Sequence, residues 1–503
     1  MSMKDKRFSR LSLIFALIFI FAALCRAQQI EANIKIESSP ASFARVEGRV
    51  LQKNIGKNWG FLRSIAGIEN LGERISDLAL TDKDGKTISY KKLIAGEYLA
   101  EDAATNFSYK IDLTAPKKYS AMAHVSWLLS EKGLLMLDDL LPQFGPETSA
   151  KINFELPPDW TIAGINTSSG KNPVDVENVE KAVFLVGKNL RSKELQIGES
   201  QSDKKLPAKK NIPDVSISGE WLFSDAEAAE TAGEILGEYE NFFGESPSVR
   251  PQIFLLKFQP EINFGSWEAE TRGASVVILS NDMPFKSQSL QRLHEQLRHE
   301  LFHLWIPNNL ALSGNYDWFY EGFALYQSLR TGVALNRIRF EDFLDTLARA
   351  YDLDNMQEQK TSLIDASKNR WGGANSQIYA RGLLVAFLTD AALLKESKGK
   401  RSVTDVLRAV YEKHKKPNQP QDANEAILNV FAAYTELRPV VERYIKGAEK
   451  LDWQTELESL GIETNGENFP LKLTVKAKLT GRQKDLLNEL GYNNWRKLSR
   501  QSK

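Results

Sequence analysis

Apolar and polar residues alternate along several short stretches of the chain between residues 28 and 215. In the run 30–36, which reads I-E-A-N-I-K-I, every second residue is apolar. Such alternation is typical of a β-strand with one buried face. Similar runs span residues 109–113, 121–128, 151–156 and 182–186. Turn-forming segments separate these runs, so the pattern predicts a sandwich-like, all-β N-terminal domain over residues 28–215.

The pattern changes beyond residues 201–211, a polar, lysine-rich stretch that we interpret as a linker. Short apolar runs at 252–257 and 274–280 are typical of strands. Apolar side chains then recur at steps of three and four residues, which is typical of helices. These helical patterns cover residues 225–243, 288–305, 318–331, 340–352, 378–394, 403–414 and 437–445. We therefore expect an α+β domain over residues 216–450, mostly helical in its C-terminal part, and a tail over residues 451–503.

The composition of the chain narrows the classes of partner. Among its 503 residues, 65 Lys and Arg balance 65 Asp and Glu, so charge gives no reason to expect a nucleic-acid partner. The first 27 residues stand apart, because basic residues precede an apolar run at 11–24 and Ala27 offers a cleavage site. This pattern is typical of a signal peptide. We expect export to a periplasm or the extracellular space, with no stable membrane span after cleavage and an oligomeric state left open.

Cys25 is the only cysteine of the chain. Cleavage after Ala27 would leave a mature protein without thiols or disulfides, which fits a bacterial periplasm better than a disulfide-rich pathway. Two alternatives stay open at this stage. Cys25 could carry a lipid anchor, or the apolar run could remain as an uncleaved anchor.

The strongest chemical signal is the string His299-Glu300-Leu301-Phe302-His303, or H-E-x-x-H, on the helix predicted over residues 288–305. Residues four apart lie on one helix face, so His299 and His303 can both direct a ring nitrogen at one Zn²⁺. Glu300 can then reach a water on the ion and act as general base. A catalytic zinc needs a third protein ligand, and Glu321 is a suitable one on the next helix, for which Asp317 is the predicted N-cap.

A simpler alternative is an amphipathic helix whose histidines are solvated or lie in the core. His294 does not extend the motif, because Arg298 stands four residues beyond it. We expect His294 on the helix surface, with Glu295 beside it near His299.

The strings H-E-L-F-H-L-W at 299–305 and D-W-F-Y-E-G-F-A-L-Y at 317–326 resemble the gluzincin metallopeptidases, above all the aminopeptidase N and glycyl aminopeptidase families. The connection between His303 and Glu321 is one residue shorter than is typical of aminopeptidase N, which indicates a divergent member. The resemblance implies an N-terminal β domain, a thermolysin-like catalytic domain, one Zn²⁺ per chain, and the ligands His299, His303 and Glu321.

Two further segments carry weaker resemblances. The segment I-Y-A-R-G-L-L at 378–384 resembles the Tyr-x-Lys-Gly segment of these families, with Arg381 in place of Lys. The resemblance makes Tyr379 the hydrogen-bond donor to the oxyanion; alternatively, Tyr379 is an interior helix tyrosine. The segment G-S-W-E-A at 265–269 shares only Gly and Glu with the exopeptidase motif. Glu268 would there bind the substrate ammonium, although Ala269 replaces the usual Asn; alternatively, Glu268 is an exposed strand carboxylate.

These observations predict an exported zinc peptidase that hydrolyses peptide or protein substrates through a zinc-activated water, with Glu300 moving the proton and Tyr379 stabilising the oxyanion. The resemblance makes it aminopeptidase-like. The alternatives are an endopeptidase, or a non-catalytic binding or assembly protein on a gluzincin scaffold. The presence of Glu300 favours an enzyme, since a non-catalytic scaffold has no need for the base.

Overall fold

The computed structural model describes residues 29–38, 42–51, 56–145, 147–167, 172–194, 213–259, 262–466 and 469–494. The predicted signal peptide and the predicted linker at 201–211 lie outside the described residues. The chain divides into two compact units, Met1–Leu190 and Arg191–Lys503. The division therefore comes earlier than the predicted boundary at residue 215. The reason is that strands Arg191–Glu194 and Asp214–Ser218 pair with each other in the sheet of the second unit.

The first unit is built from β-strands. Its strands are β1 (Ile30–Glu37), β2 (Phe43–Val50), β3 (Asn58–Gly60), β4 (Ile75–Thr81), β5 (Thr87–Ile88), β6 (Tyr90–Ile94), β7 (Glu97–Ala100), β8 (Asn106–Asp112), β9 (Trp127–Leu128), β10 (Lys132–Met136), β11 (Ala150–Glu155), β12 (Thr161–Gly164), β13 (Val174–Val176) and β14 (Val183–Gly187), with a short helix α1 (Leu137–Leu140). Within the described residues they form sheets ordered β13-β11-β1-β2-β8-β4-β5, β12-β14-β10-β9 and β3-β7-β6.

The alternation predicted for β1 is present, because its residues are buried and more exposed in turn. The two larger sheets share one apolar core that contains Ile34 of β1 and Leu135 of β10. Across that core Phe154 of β11 meets Phe184 of β14, with ring centroids 5.0 Å apart. The prediction of a β-rich N-terminal domain is therefore confirmed.

The strand predicted at 121–128 is wrong over most of its length. The backbone N–H groups of Ala121, Met122 and His124 donate to carbonyls three residues earlier and form turns. These donors are not available to a neighbouring strand, and only β9 remains extended.

The second unit is an α+β arrangement. Its strands are β15 (Arg191–Glu194), β16 (Asp214–Ser218), β17 (Gln252–Lys257), β18 (Trp267–Arg272), β19 (Ser275–Ser280), β20 (Leu312–Ser313), β21 (Gln421–Asp422), β22 (Ile462–Thr464) and β23 (Leu473–Val475). Its helices are α2 (Asp225–Phe243), α3 (Lys286–Phe302), α4 (Asp317–Ala334), α5 (Phe340–Asn355), α6 (Leu363–Lys368), α7 (Asn375–Ser397), α8 (Val403–His414), α9 (Ala423–Phe431), α10 (Arg438–Val440), α11 (Gln454–Leu460) and α12 (Gly481–Glu489), with a π-helical turn Val441–Ile445 and a 3₁₀ turn Arg370–Gly372.

The main sheet of this unit has the order β15-β16-β17-β19-β18. Strands β16, β17 and β19 run parallel, and β18 pairs antiparallel with β19 at the edge. The next helix along the chain is α3, which carries the H-E-x-x-H string. The edge strand β18 lies against this helix, since the Thr271 hydroxyl hydrogen-bonds to Glu300.

Helix α7 occupies the centre of the second unit. Among the described residues it alone is long and apolar enough to cross a membrane, yet 89% of its apolar window is buried inside the fold. This burial is what a core helix of a globular domain requires.

The segment predicted as a separate tail, residues 451–503, is part of the same domain. Leu457, Leu460 and Leu487 of this segment are buried in the core cluster that also holds Leu384 of α7. That contact arises from tertiary packing, which a local sequence pattern does not show. The domain therefore extends beyond the predicted end at residue 450.

Candidate metal centre

Helix α3 holds the two histidines of the motif. The helix spans Lys286–Phe302, and His303 follows as its C-terminal cap, with its backbone N–H donated to the Glu300 carbonyl. The helical turn thus reaches His303 and keeps it one turn beyond His299, on the same face. Both imidazoles are 6% exposed, so they face the interior of the domain as the spacing predicts.

Helix α4 supplies the third group. Glu321 lies four residues after the first helical residue, Asp317, while Tyr316 occupies the cap position. The predicted N-cap Asp317 is therefore already inside the helix. Because residues i and i+4 share a helix face, the carboxylates of Asp317 and Glu321 lie on the same side of α4. Both are buried.

The distances between the three groups fit a tetrahedral ion. His299 Nε2 lies 3.3 Å from His303 Nε2 and 3.2 Å from Glu321 Oε2, and His303 Nε2 lies 3.7 Å from Glu321 Oε2. Ligand bonds of about 2.0–2.1 Å at tetrahedral angles place ligand atoms about 3.3–3.4 Å apart. His299, His303 and Glu321 are the one such group of metal-binding side chains among the residues that the structure describes.

Hydrogen bonds orient two of the candidate ligands. The His303 ring nitrogen Nδ1 lies 2.9 Å from the Ile306 carbonyl and donates to it. Since a neutral imidazole has one N–H, this bond leaves the Nε2 lone pair directed at the cluster. Burial by itself would raise the pKa of Glu321, but its contacts with His299 and His303 and the charge of Arg370 hold that pKa well below its usual range. Glu321 is therefore a carboxylate, the form that a metal requires.

Glu300 is 4% exposed and is held from strand β18. The Thr271 hydroxyl lies 2.7 Å from Glu300 Oε2 and 2.9 Å from the Glu300 carbonyl oxygen. A single hydroxyl that contacts both groups fixes the side chain relative to its own helix backbone. The second carboxylate oxygen is left to accept a proton.

Tyr379 lies on α7 beside the cluster. Its ring centroid is 6.4 Å from that of His299, and its hydroxyl accepts a hydrogen bond of 2.9 Å from Arg370 Nη2. Burial first, and then the charge of Glu321, raise the pKa of Tyr379 well above its ordinary value. The phenol therefore keeps its proton at neutral pH and is able to donate it in a hydrogen bond.

Arg370 joins these groups from the 3₁₀ turn Arg370–Gly372. Its Nη1 lies 2.9 Å from Glu321 Oε1 and 2.8 Å from Asp317 Oδ1, and Tyr320 donates to the same Asp317 oxygen at 2.6 Å. Neither Arg370 nor Thr271 is predicted by the sequence patterns. No motif or periodic spacing marks either residue, because both reach the site from elements far away along the chain.

Glu268 lies on the edge strand β18 and is half-buried. Side chains alternate along a strand, so Glu268 and Glu270 share one face while Ala269 and Thr271 share the other. It is this second face that contacts the motif helix, through Thr271 and Glu300. The structure does not bring Glu268 into the group of His299, His303 and Glu321.

His294 was predicted to lie on the helix surface, but the residue is buried, with only 3% of its surface exposed. Its Nδ1 lies 2.6 Å from Arg298 Nη1, and its Nε2 lies 3.4 Å from a carboxylate oxygen of Glu234 on α2. Packing of α2 against α3 covers this position. Glu295 is exposed and pairs with Arg292 at 2.8 Å.

Two glycines set the distance between α4 and α7. A Cβ at Gly322 would lie 2.6 Å from backbone atoms of Gly382, and one at Gly382 would lie 2.9 Å from the Gly322 Cα. The backbones of the helices therefore touch next to Glu321 and three residues after Tyr379. This close contact between the two helices brings the Glu321 carboxylate and the Tyr379 phenol to the same site.

We expect Gly322→Ala to lower the free energy of unfolding by about 1–3 kcal/mol, because the methyl group forces two packed backbones apart. Urea unfolding of the purified protein measures the effect. The control is Gly481→Ala in the first turn of α12, where an added Cβ meets nothing within 4 Å. That variant should keep its stability to within about 1 kcal/mol. Equal stability of the two variants would contradict the role of the glycine contact.

Comparison with known proteins supports the fold. No family model and no curated protein sequence matches the chain significantly. An aminopeptidase N family protein from Idiomarina loihiensis is similar in structure, with a TM-score of 0.73 and 16% identity over 87% of this chain and 79% of that one. An M1 zinc metallopeptidase from Deinococcus radiodurans gives a TM-score of 0.51 and 14% identity over 84% of this chain and 94% of that one.

A variant of the Deinococcus radiodurans enzyme, solved with a Tyr-Ser-Ala substrate, gives a TM-score of 0.53 at 14% identity over 84% of this chain and 95% of that one. At such low identity the similarity concerns the fold. The chain has a β-rich N-terminal unit and a largely helical C-terminal part, as in two-domain M1 metallopeptidases. The resemblance expected from the sequence is confirmed at this level, and it is that of a divergent relative.

Proposed function

We propose that the protein is a zinc-dependent peptidase whose second unit is a thermolysin-like catalytic domain. One observation carries the proposal: two imidazole nitrogens and one carboxylate oxygen lie at tetrahedral spacing, next to a buried glutamate. Two imidazoles and a carboxylate suit Zn²⁺, whereas Ca²⁺ and Mg²⁺ take oxygen ligands. The ligands would be His299, His303 and Glu321, and the fold shared with M1 zinc metallopeptidases supports the same conclusion.

The residues around this group have the roles that peptide hydrolysis needs. Zinc, when bound, lowers the pKa of a water and polarises the scissile carbonyl. Glu300 accepts the proton of the attacking water on its free carboxylate oxygen and delivers it to the leaving amine. The Tyr379 hydroxyl donates a hydrogen bond to the oxygen that gains negative charge. Thr271 keeps Glu300 in place during both proton transfers.

The preferred reaction is that of an aminopeptidase, by analogy with the neighbours in fold. The alternative is an endopeptidase, and one observation supports this alternative. Glu268, the residue that would bind a free N-terminal ammonium, lies on the strand face opposite to Thr271, and Ala269 replaces the neighbouring Asn of the exopeptidase motif. The non-catalytic alternative has less support, because Glu300 is both present and held in position.

We also propose that the protein is exported and acts on peptides or proteins in the periplasm or outside the cell. The basic residues and the apolar run at 11–24 support this proposal. The N-terminus of the mature protein, sequenced after expression in a bacterium, tests it. Cleavage after Ala27 is expected, and an intact N-terminus in the cytosolic fraction would contradict export.

The purified mature protein is expected to carry about one zinc per chain, since the described part of the chain holds one set of three candidate ligands. Metal analysis checks the number. His303→Ala should lose most of the zinc, whereas His124→Ala, a histidine substitution in the first unit, should keep it. A folded wild-type protein that takes up no zinc on titration would contradict the proposal.

The same preparation then decides between the two reactions. Hydrolysis is compared on one peptide series with free and with acetylated N-termini. An aminopeptidase should prefer the free peptides by roughly one to two orders of magnitude, the effect of one charge-assisted contact. Equal cleavage of both series would assign the protein as an endopeptidase. Cleavage of neither series by a zinc-loaded protein would favour the non-catalytic alternative.

A further inference from the structure

Arg370 is the one cation that contacts the metal ligand Glu321 and the Tyr379 hydroxyl together, within the part of the chain that the structure describes. Its side chain is 12% exposed. The residue belongs to none of the three helices of the site, since it lies in the turn between α6 and α7. Its guanidinium also lies over the Trp371 ring, 4.6 Å from the centroid. The side chain is thus held from several directions.

The two ends of the guanidinium make different contacts. Nη1 lies 2.9 Å from Glu321 Oε1, the oxygen that does not face the histidines, while Glu321 Oε2 lies 3.2 Å from His299 Nε2. Nη2 lies 2.9 Å from the Tyr379 hydroxyl oxygen. The planar fork of an arginine can serve two acceptors at fixed angles, which the single ammonium of a lysine cannot do.

Asp317 holds the guanidinium from a third side. Its Oδ1 lies 2.8 Å from Arg370 Nη1, and it stands one helical turn before Glu321. Arg370 therefore pairs with two carboxylates, those of Asp317 and Glu321. It anchors Glu321 while its positive charge is divided between the two groups. A carboxylate with one oxygen anchored presents the other oxygen in a fixed direction.

We propose that Arg370 is a positioning residue that couples the metal ligand to the oxyanion donor. By holding Glu321 Oε1 it directs Oε2 at the histidines. By donating to the Tyr379 oxygen it occupies an acceptor position of the phenol, so the phenol proton points away from Arg370. This inference rests on the proposed zinc peptidase function, and it assigns both tasks to one side chain.

The test measures two properties, zinc affinity and peptide hydrolysis. Competition with a chelator gives the zinc dissociation constant, and steady-state kinetics give kcat and KM. Both are determined for Arg370→Ala and Arg370→Lys, each in the wild-type and in the Tyr379→Phe background. Arg349→Ala, an exposed arginine on α5, is the control for loss of an arginine. Thermal unfolding shows that each variant is folded.

Arg370→Ala should weaken zinc binding roughly 10- to 100-fold, as expected for the loss of a partner that orients a ligand. This loss should appear in both backgrounds, because Arg370 contacts Glu321 directly whether or not the Tyr379 hydroxyl is present. The fall in kcat should be larger in the wild-type background than in the Tyr379→Phe background, because phenylalanine has no hydroxyl for Arg370 to position. KM should change little in comparison.

Arg370→Lys keeps the charge beside Asp317 and Glu321 and so remains folded even where the alanine variant does not. It should recover zinc affinity more fully than kcat, because one ammonium cannot reach both acceptors. Wild-type behaviour of the lysine variant in both quantities would overturn the proposal, since charge alone would then be sufficient. So would unchanged zinc affinity of a folded Arg370→Ala variant, or equal falls in kcat in the two backgrounds. Failure of the wild type itself to bind zinc would instead reject the proposed function.

Discussion

Glu300→Gln should abolish nearly all peptide hydrolysis while leaving the zinc content of the protein unchanged. An amide cannot accept a proton from water at neutral pH, and loss of a general base costs roughly 10²- to 10⁴-fold in kcat. The amide has the shape of the carboxylate and can still accept the hydrogen bond from the Thr271 hydroxyl. The fold and the three candidate ligands are therefore expected to stay intact, and zinc analysis with steady-state kinetics measures both results.

Glu295→Gln is the matched control for this variant. Glu295 lies on the same helix but is exposed and paired with Arg292, so its amide should leave kcat and zinc content at the wild-type level. A Glu300→Gln protein with undiminished kcat on its best substrate would show that another group moves the proton. Loss of zinc from that variant would show instead that Glu300 is a ligand.

The part of the site that could be predicted from the sequence is the part fixed by helix geometry. A spacing of four residues places His299 and His303 on one face whatever the remaining fold is. Glu321 could be assigned because it follows in the next helix, and the short connection brings it near. The structure places the three ligand atoms together. Local geometry and the resemblance were sufficient for these residues.

Residues that reach the site from elements far away along the chain could not be predicted. Thr271 reaches Glu300 from 29 positions away along the chain, and Arg370 reaches Asp317 from 53 positions away. Their places depend on how an edge strand and a turn pack, and no local pattern records that packing. The error about His294 has the same origin, since burial by α2 is a tertiary effect.

The domain boundaries also depend on tertiary packing, whereas the type of each secondary-structure element follows from local sequence patterns. Alternation predicted the β-rich unit and helical period predicted most helices of the second unit. The first compact unit ends at Leu190, before the predicted boundary at residue 215, because β15 pairs with β16 in the sheet of the second unit. The tail at 451–503 seemed separate because its apolar residues acquire partners only through contact with the central core.

Tyr379→Phe is expected to lower kcat roughly 10²- to 10³-fold, the cost of removing one hydrogen-bond donor from a developing oxyanion. KM and zinc content should change little, because the donor acts on charge that appears in the transition state and the ligands are untouched. Phenylalanine keeps the ring that packs beside His299, so stability should also be close to that of the wild type. The steady-state kinetics of the folded, zinc-loaded variant measure the effect.

Tyr351→Phe is the control, since Tyr351 stacks on Trp453 at 4.4 Å in the same unit and has no assigned role in the reaction. It should keep the wild-type kcat. If Tyr379→Phe retained most of its activity, Tyr379 would be an interior tyrosine whose hydroxyl has a structural role only. If both variants lost activity to the same extent, the loss would reflect packing of tyrosines in this domain. A selective loss in Tyr379→Phe is the result expected of an oxyanion donor. Each substitution removes one phenol hydroxyl from a helix of the second unit, and only that of Tyr379 lies beside the candidate metal ligands.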